Sequence, residues 1–294
     1  DEGIASPVLL GNEEEARRAA ARLGIDLGGV SIVDPLHSPQ LEAYAAEYLR
    51  LRGRDGAPPD LARGRLAQPG HFATLMLHRG DADLMICGAT DHYAATLRMV
   101  LEVIGPAPGV RRVTSLHAVL RPKEVYFLAD CAVNIEPEAC DLAETALLSA
   151  RFVRSLGIEP RVAMLSFSNF GSVDHPLPRK VREAARIARE RQPGLVIEGE
   201  IQAATALDGD IRRRYFPFSD LTQNANILIF PDLESGNLAL QLLQKLGDAI
   251  AVGPVLLGTR RPVHVIQYGS PVEDIVNLAA IGALQVAGEL EAGV

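Results

Sequence analysis

Directly after the apolar run Val162–Leu165 the chain gathers Ser166, Ser168, Asn169, Gly171 and Ser172 into seven residues, before helix-prone sequence resumes near Arg179. Serine hydroxyls and the bare N–H groups of a Gly-containing loop suit a phosphate or acyl group, above all at the carboxyl end of a buried strand in an open α/β sheet. The plainer reading is a serine-rich turn that caps the next helix.

Other polar clusters take the same position after an apolar run. Gly88-Ala89-Thr90-Asp91 follows Leu84–Cys87, with Asp91 suited to cap a helix that carries Arg98. The fork of Arg98 fits a phosphate; otherwise it is an exposed, ion-paired arginine. Asp130-Cys131-Ala132-Val133-Asn134 sets the Asn134 amide at a strand exit, or forms an Asx-turn. The two acids of Glu198-Gly199-Glu200-Ile201-Gln202 would bind a cation, orient a ligand or form the first turn of a helix. Pro231–Asn237 offers a Gly-containing helix start, and Gln267-Tyr268-Gly269-Ser270 leads into a last helix with Asp274 in its first turn. Asp91-His92 and Asp174-His175 are isolated pairs that read as solvated or capping residues, because a metal needs three or four converging ligands; no metal is expected. Dinucleotide, P-loop, serine-hydrolase and zinc-protease signatures do not occur in the chain.

These clusters must be held by alternating strands and helices, the pattern of an α/β fold with a largely parallel sheet. Strands are predicted at Pro7–Leu10, Val30–Val33, Leu84–Cys87, Ser115–Leu120, Val125–Ala129, Val162–Ser166, Leu195–Glu198, Ile227–Phe230, Val252–Leu257 and Val263–Ile266. Helices are predicted at Glu13–Leu23, Gln40–Leu51, His71–His78, Tyr93–Ile104, Cys140–Leu156, Pro178–Arg191, Asn237–Lys245 and Val272–Ala287. Arg52–Pro59 reads as a surface loop. The turn at Asn134–Glu138, before a long Ala/Leu-rich helix that could bridge two lobes, is the better domain boundary. A net charge of −8 argues against nucleic-acid and anionic-membrane partners, which are held by clustered cations. Cys87, Cys131 and Cys140 cannot all pair and fit a reducing cytoplasm, and no apolar stretch is long enough to span a membrane. The first residue is Asp, so the chain reads as trimmed or as the tail of a longer polypeptide.

In order, the clusters resemble the phosphate acetyltransferase (phosphotransacetylase) family. The matching blocks are Gly88-Ala89 with Leu97-Arg98, Asp130–Asn134, Ser166-Phe167-Ser168 with Gly171-Ser172, Glu198–Gln202, Pro231–Asn237, Gly253–Gly258 and Val272–Asn277. Asn169-Phe170, Tyr93 and Arg261–Val265 make the chain look most like the C-terminal phosphotransacetylase-like domain of bacterial NADP-dependent malic enzymes. The resemblance implies two α/β lobes with a cleft between them, similar to isocitrate and isopropylmalate dehydrogenases. Residues 1–138 and 271–294 would form the first lobe and 139–270 the second. It also implies Asp274 as the base that takes the thiol proton of coenzyme A, and Arg98 as a coenzyme A-binding arginine. Asn134, Ser166, Ser168, Asn169, Gly171, Ser172, Gly269, Ser270 and Asn277 would line the ligand. Two positions depart from the family: its Ser-Arg pair falls on Gln267-Tyr268, and its histidine before the Arg98 helix falls on Asp91. Neither Gln267 nor Tyr268 carries a fixed positive charge, and a lost transition-state donor of this kind costs about 3 kcal/mol.

These departures point to a domain that binds acetyl-CoA as an allosteric regulator of a malic enzyme and has lost acetyl transfer. NADP and a divalent metal would then belong to an upstream part, and the malic enzyme domains of the same polypeptide and a homo-oligomer would be the partners. The alternative is an active phosphate acetyltransferase, with Arg260 or Arg261 standing in for the missing arginine. A ligand-free oligomerisation module is a third reading.

Overall fold

The computed structural model describes residues 3–56, 58–122 and 124–288, which fall into two compact units, 3–105 with 261–286 and 106–260. Among the described residues no helix is long and apolar enough to cross a membrane.

In the first unit β1 (Val8–Leu10) and β2 (Ser31–Val33) pair in parallel around α1 (Glu13–Leu23). The ends of α1 follow from its sequence: the Asn12 side chain accepts from the Glu15 N–H, three glutamates occupy the first turn, and Gly24 closes the helix in the left-handed region. α2 (Leu41–Arg52), a 3₁₀ turn (Gly53–Asp55), α3 (Pro59–Leu66) and α4 (Pro69–Arg79) follow; of the stretch read as loop, Gly53–Asp55 forms that turn, Ala57 lies outside the described residues, and Pro59 begins an unforeseen short helix. Buried Tyr44, Tyr48, Phe72, Leu75 and Leu77 form the apolar centre of this helical layer. β3 (Met85–Cys87) then leads to α5 (Tyr93–Val103).

The second unit is a six-stranded sheet. It holds β4 (Thr114–Arg121), β5 (Glu124–Ala129), α6 (Ala139–Ser155), β6 (Arg161–Leu165), α7 (Pro176–Arg191), β7 (Val196–Ile201), α8 (Ala203–Leu207) and α9 (Gly209–Tyr215). β8 (Ile227–Ile229), α10 (Leu233–Leu246) and β9 (Ile250–Leu257) complete it. The strand order is β7-β6-β8-β5-β4-β9. β5 to β8 run parallel, as predicted, while β4 pairs antiparallel with both β5 and β9, so the sheet is mixed. The chain returns to the first unit through β10 (Val263–Val265), parallel to β3, and α11 (Val272–Val286).

The division falls at 105/106 and 260/261, whereas the sequence placed it at 138/139 and 270/271. The reason is pairing: β4 and β5 hydrogen-bond to β9 and β8, which ties them to the six-stranded sheet. The Ala/Leu-rich helix α6 lies within the second unit. It packs on α7 and on β5, β6, β8 and β9, and it is buried along nearly its whole length because Ala143, Ala146 and Ala150 let the sheet approach.

Gly199 shows how tightly β7 lies on β6, since an added Cβ would stand 2.4 Å from the Met164 Cβ. Gly199→Ala is expected to destabilise the chain by about 1–3 kcal/mol through overpacking, read as a lower midpoint in urea with an unchanged slope.

Candidate active site

The parallel strands of the second unit bring their carboxyl-end loops to one edge of the sheet, the position where open α/β sheets bind ligands. The serine loop is built there around one buried carboxylate. The β6–β7 register slips between Met164↔Gly199 and Leu165↔Ile201, which leaves Glu200 without a strand partner and free to turn toward the loop. Glu200 is fully buried. Its Oε1 accepts from the Gly171 N–H at 2.7 Å, the Ser168 hydroxyl at 2.9 Å and Arg182 Nη2 at 3.0 Å, and its Oε2 accepts from Arg182 Nε at 2.8 Å. Burial on its own would raise the pKa of Glu200, but the Arg182 pair, the Gly171 N–H and the Ser168 hydroxyl outweigh it and hold the group below its usual 4.5.

The loop's N–H groups are therefore not bare, as the sequence had suggested. Ser166 N–H donates to Ile201 O, Ser168 N–H to Ser166 Oγ, Asn169 N–H to Ser172 Oγ, Phe170 N–H to Glu200 O and Val173 N–H to Ser168 Oγ. Asn169 is likewise engaged, since its amide exchanges two hydrogen bonds with Gln202, at 2.8 and 3.0 Å. Phe170 adopts a left-handed φ of 46°, held by the Phe216 and Phe218 rings at 5.1 and 5.0 Å. What the loop presents outward is the half-buried Ser166, the exposed Phe167 and the exposed Gly171 and Ser172. Ser168 lies inside and shapes the loop.

Asn134 is also inward. Its amide donates to Val113 O at 2.9 Å and Asp130 Oδ2 at 2.7 Å, and Asp130 in turn accepts from the N–H groups of Ala132, Val133 and Asn134 and from the Ser115 hydroxyl. The Asx-turn reading describes this loop. Glu198 and Glu200 lie in β7 rather than in a helical turn, and the cations they meet are Arg189 and Arg182 of α7, at 2.9 and 2.8 Å. Asp174 pairs with Arg179 at 2.5 Å and His175 Nδ1 accepts from the Leu177 N–H, so that pair caps α7. Among the described residues Glu138, Cys140 and Asp141 bring three ligand atoms within 4.8 Å, but both carboxylates already face Arg111 and close the first turn of α6.

In the first unit β3 and β10 end side by side, with Ile266 N–H donating to Cys87 O at 2.8 Å. Gly88 is required at this junction: its φ is 109°, and a Cβ would meet Ile266 O at 2.4 Å. The Gly88–Asp91 and Gln267–Ser270 loops thus leave the same sheet edge together. His92, not Asp91, caps α5, and its side chain makes no capping bond. Arg98 is exposed on α5 and makes no ion pair with the described residues. Gln267, Tyr268 and Gly269 are exposed, and Ser270 N–H closes their turn onto Gln267 O. Asp274 is half-buried in the first turn of α11, with exposed Asn277 one turn further on. Burial, and after it the Glu273 charge, raises Asp274 above its usual 3.8. Arg261 does not replace the missing arginine, because it packs near Gly80 at the amino end of β10, the opposite end from Gln267.

The residues sequence reasoning missed are Arg182 and the role of Ser168 as scaffold. The available signal was spacing: Arg182 and Arg189 sit two helical turns apart on α7 and meet Glu200 and Glu198, two apart on β7.

Residues 1–283 match the model of the phosphate acetyl/butaryl transferase family. The chain belongs to this family. It is 40% identical over 286 residues to a phosphate acetyltransferase of Nitratidesulfovibrio vulgaris, covering 97% of this chain and 41% of that protein. The phosphate acetyltransferase of Bacillus subtilis is 38% identical over 282 residues, covering 96% of this chain and 87% of the relative. Thus the chain spans about two fifths of some curated relatives it matches and most of others. Among solved structures, a phosphotransacetylase of Streptococcus pyogenes superposes with a TM-score of 0.92 at 35% identity, covering 98% of this chain and 88% of that one. The shared architecture is a mixed α/β fold. These relatives overturn the expectation of a malic enzyme's regulatory domain, and with it the oxidoreductase chemistry, the upstream NADP and metal and the malic enzyme partner domains: proteins similar to this chain along its whole length are phosphate acetyltransferases.

Glu200 has a depressed pKa, so its stabilising contribution is complete above the usual value of 4.5 and is lost as pH falls from there through the lower folded-state value. Hydrogen exchange at the Gly171 N–H is expected to accelerate over that acid range in the wild type. In Glu200→Gln it should be fast at neutral pH and nearly independent of pH once intrinsic exchange is subtracted.

Proposed function

We propose that the chain catalyses acetyl transfer between acetyl phosphate and coenzyme A. Family membership across residues 1–283 carries this reading, and the departures at Gln267 and Tyr268 do not remove its base. Asp274 takes the thiol proton of coenzyme A. The thiolate sulfur bonds to the acetyl carbon, the carbon–oxygen bond to phosphate breaks, and phosphate leaves. A carboxylate with a raised pKa is a better base at working pH than an ordinary aspartate, which is what the half-buried position of Asp274 provides. Arg98, exposed and without an ion pair among the described residues, binds a phosphate of coenzyme A.

In the second unit Ser166 offers its hydroxyl to a phosphoryl group. Gln267 and Tyr268 keep neutral N–H and O–H donors where the family has Ser-Arg, and Gly269, Ser270 and Asn277 complete the wall beside them. A cytoplasmic location is supported by three free cysteines, and a homo-oligomer by the exposed Leu238, Leu242 and Leu246 on one stripe of α10.

Acetyl phosphate formed from acetyl-CoA and inorganic phosphate is the measurement that tests the reading; no turnover by the purified wild type would end it. Asp274→Asn is expected to lower kcat by roughly 10²–10⁴-fold. The base must be deprotonated, so wild-type kcat/KM should fall with acid as pH passes down through the raised pKa of Asp274, and the variant should lack that limb. Arg98→Gln is expected to raise KM for coenzyme A by about tenfold or more, with a smaller change in kcat.

A further inference from the structure

The chain lacks the family's arginine at Tyr268, yet the serine loop carries a cation of its own. Arg182 lies on the second turn of α7 and grips the buried Glu200 with two of its nitrogens, Nε at 2.8 Å and Nη2 at 3.0 Å. Its third nitrogen, Nη1, has no hydrogen-bond partner among the described residues, and the side chain is 45% exposed. The guanidinium stands beside Gly171, where an added Cβ would be 3.5 Å from Nη2. The Glu200 carboxylate is shared between Arg182 and the Gly171 N–H and Ser168 hydroxyl, and the Asp174 charge also acts on Arg182 from the solvent side, while Nη1 itself holds no hydrogen bond among the described residues. Arg179, the next cation on the same helix, is neutralised by a two-point contact with Asp174.

We propose that Arg182, oriented by the buried Glu200, is the anion-binding residue of the serine loop and receives a phosphoryl group there. A guanidinium fixed on one edge presents its other N–H groups without further loss of side-chain freedom, which suits phosphate recognition. The half-buried Ser166 lies on the same loop and adds a donor, whereas the Ser172 hydroxyl donates to Ser168 Oγ, whose own proton goes to Glu200. Glu200 is thereby a positioning residue that sets the loop and the arginine together. The inference rests on the phosphate chemistry of the proposed function.

The test uses the whole chain and inorganic phosphate as the probe. Binding is followed by titration calorimetry, folding by circular dichroism, and turnover by formation of acetyl phosphate. Arg182→Gln is expected to weaken phosphate binding at least tenfold. Arg182→Lys should fall between the two, with KM for phosphate rising more than kcat falls, because a lysine keeps the charge and loses the fork. Arg179→Gln should bind within twofold of the wild type. A folded Arg182→Gln that binds phosphate like the wild type overturns the proposal, as does a wild type that binds none or an equal loss in Arg179→Gln. If Arg182→Gln does not fold, Arg182→Lys decides, and wild-type affinity there overturns it. Phosphate binding that depends on Arg182 without any acetyl transfer would support this site and sink the proposed enzyme. Transfer with a phosphate KM indifferent to Arg182→Lys would do the reverse.

Discussion

The carboxylate of Glu200 organises the part of the second unit where chemistry is expected. A buried charge is tolerated only when donors surround it, and here the donors come from two places: α7 gives Arg182, and the loop gives the Gly171 N–H and the Ser168 hydroxyl. Because the register of β7 on β6 slips at Glu200, the acid can leave the sheet and reach them. Loop conformation, helix position and strand register are thus fixed by one charge. The Phe170 backbone at φ 46° belongs to the same arrangement, since its N–H donates to the Glu200 carbonyl while its ring packs on Phe216 and Phe218.

The two units use the same principle at different scales. In each, parallel strands end together and deliver their following loops to one edge, β5 to β8 in the second unit and β3 with β10 in the first. Glycine marks the places where backbone must pass backbone. Gly88 lies against Ile266 O, and Gly236, at the start of α10, lies against Asp130 O, each leaving no room for a Cβ. Such positions let loops distant in sequence lie side by side, while the chemistry is left to the side chains that point outward. Arg98 is exposed in the first unit, and Ser166 is half-buried in the second.

Much of the fold was legible because period and punctuation are local. All ten predicted strands and all eight predicted helices occur within a few residues of their places, since apolar runs and caps such as Asn12 and Gly24 report on their own neighbours. Direction was less legible. Nothing within Thr114–Arg121 states that β4 runs against both of its neighbours, and the helices α3, α8 and α9 are too short for a clear period. Of the candidate site residues, the serine loop was singled out by type and spacing and the roles proposed for Asp274 and Arg98 by the family resemblance, whereas the inward Ser168, Asn134 and Asn169 looked the same in sequence as outward ones.

By itself, then, the sequence determined the class of fold, the family and which loops carry polar residues, because alternation, glycine placement and ordered blocks survive without coordinates. Only the tertiary structure decided which of those polar groups remain open to a ligand. Hydrogen-bond satisfaction is a property of the neighbours a group finds after folding. Glu200 found Arg182, 18 residues earlier in the chain, and closed the loop's interior, while the outer edge of Arg182 stayed exposed.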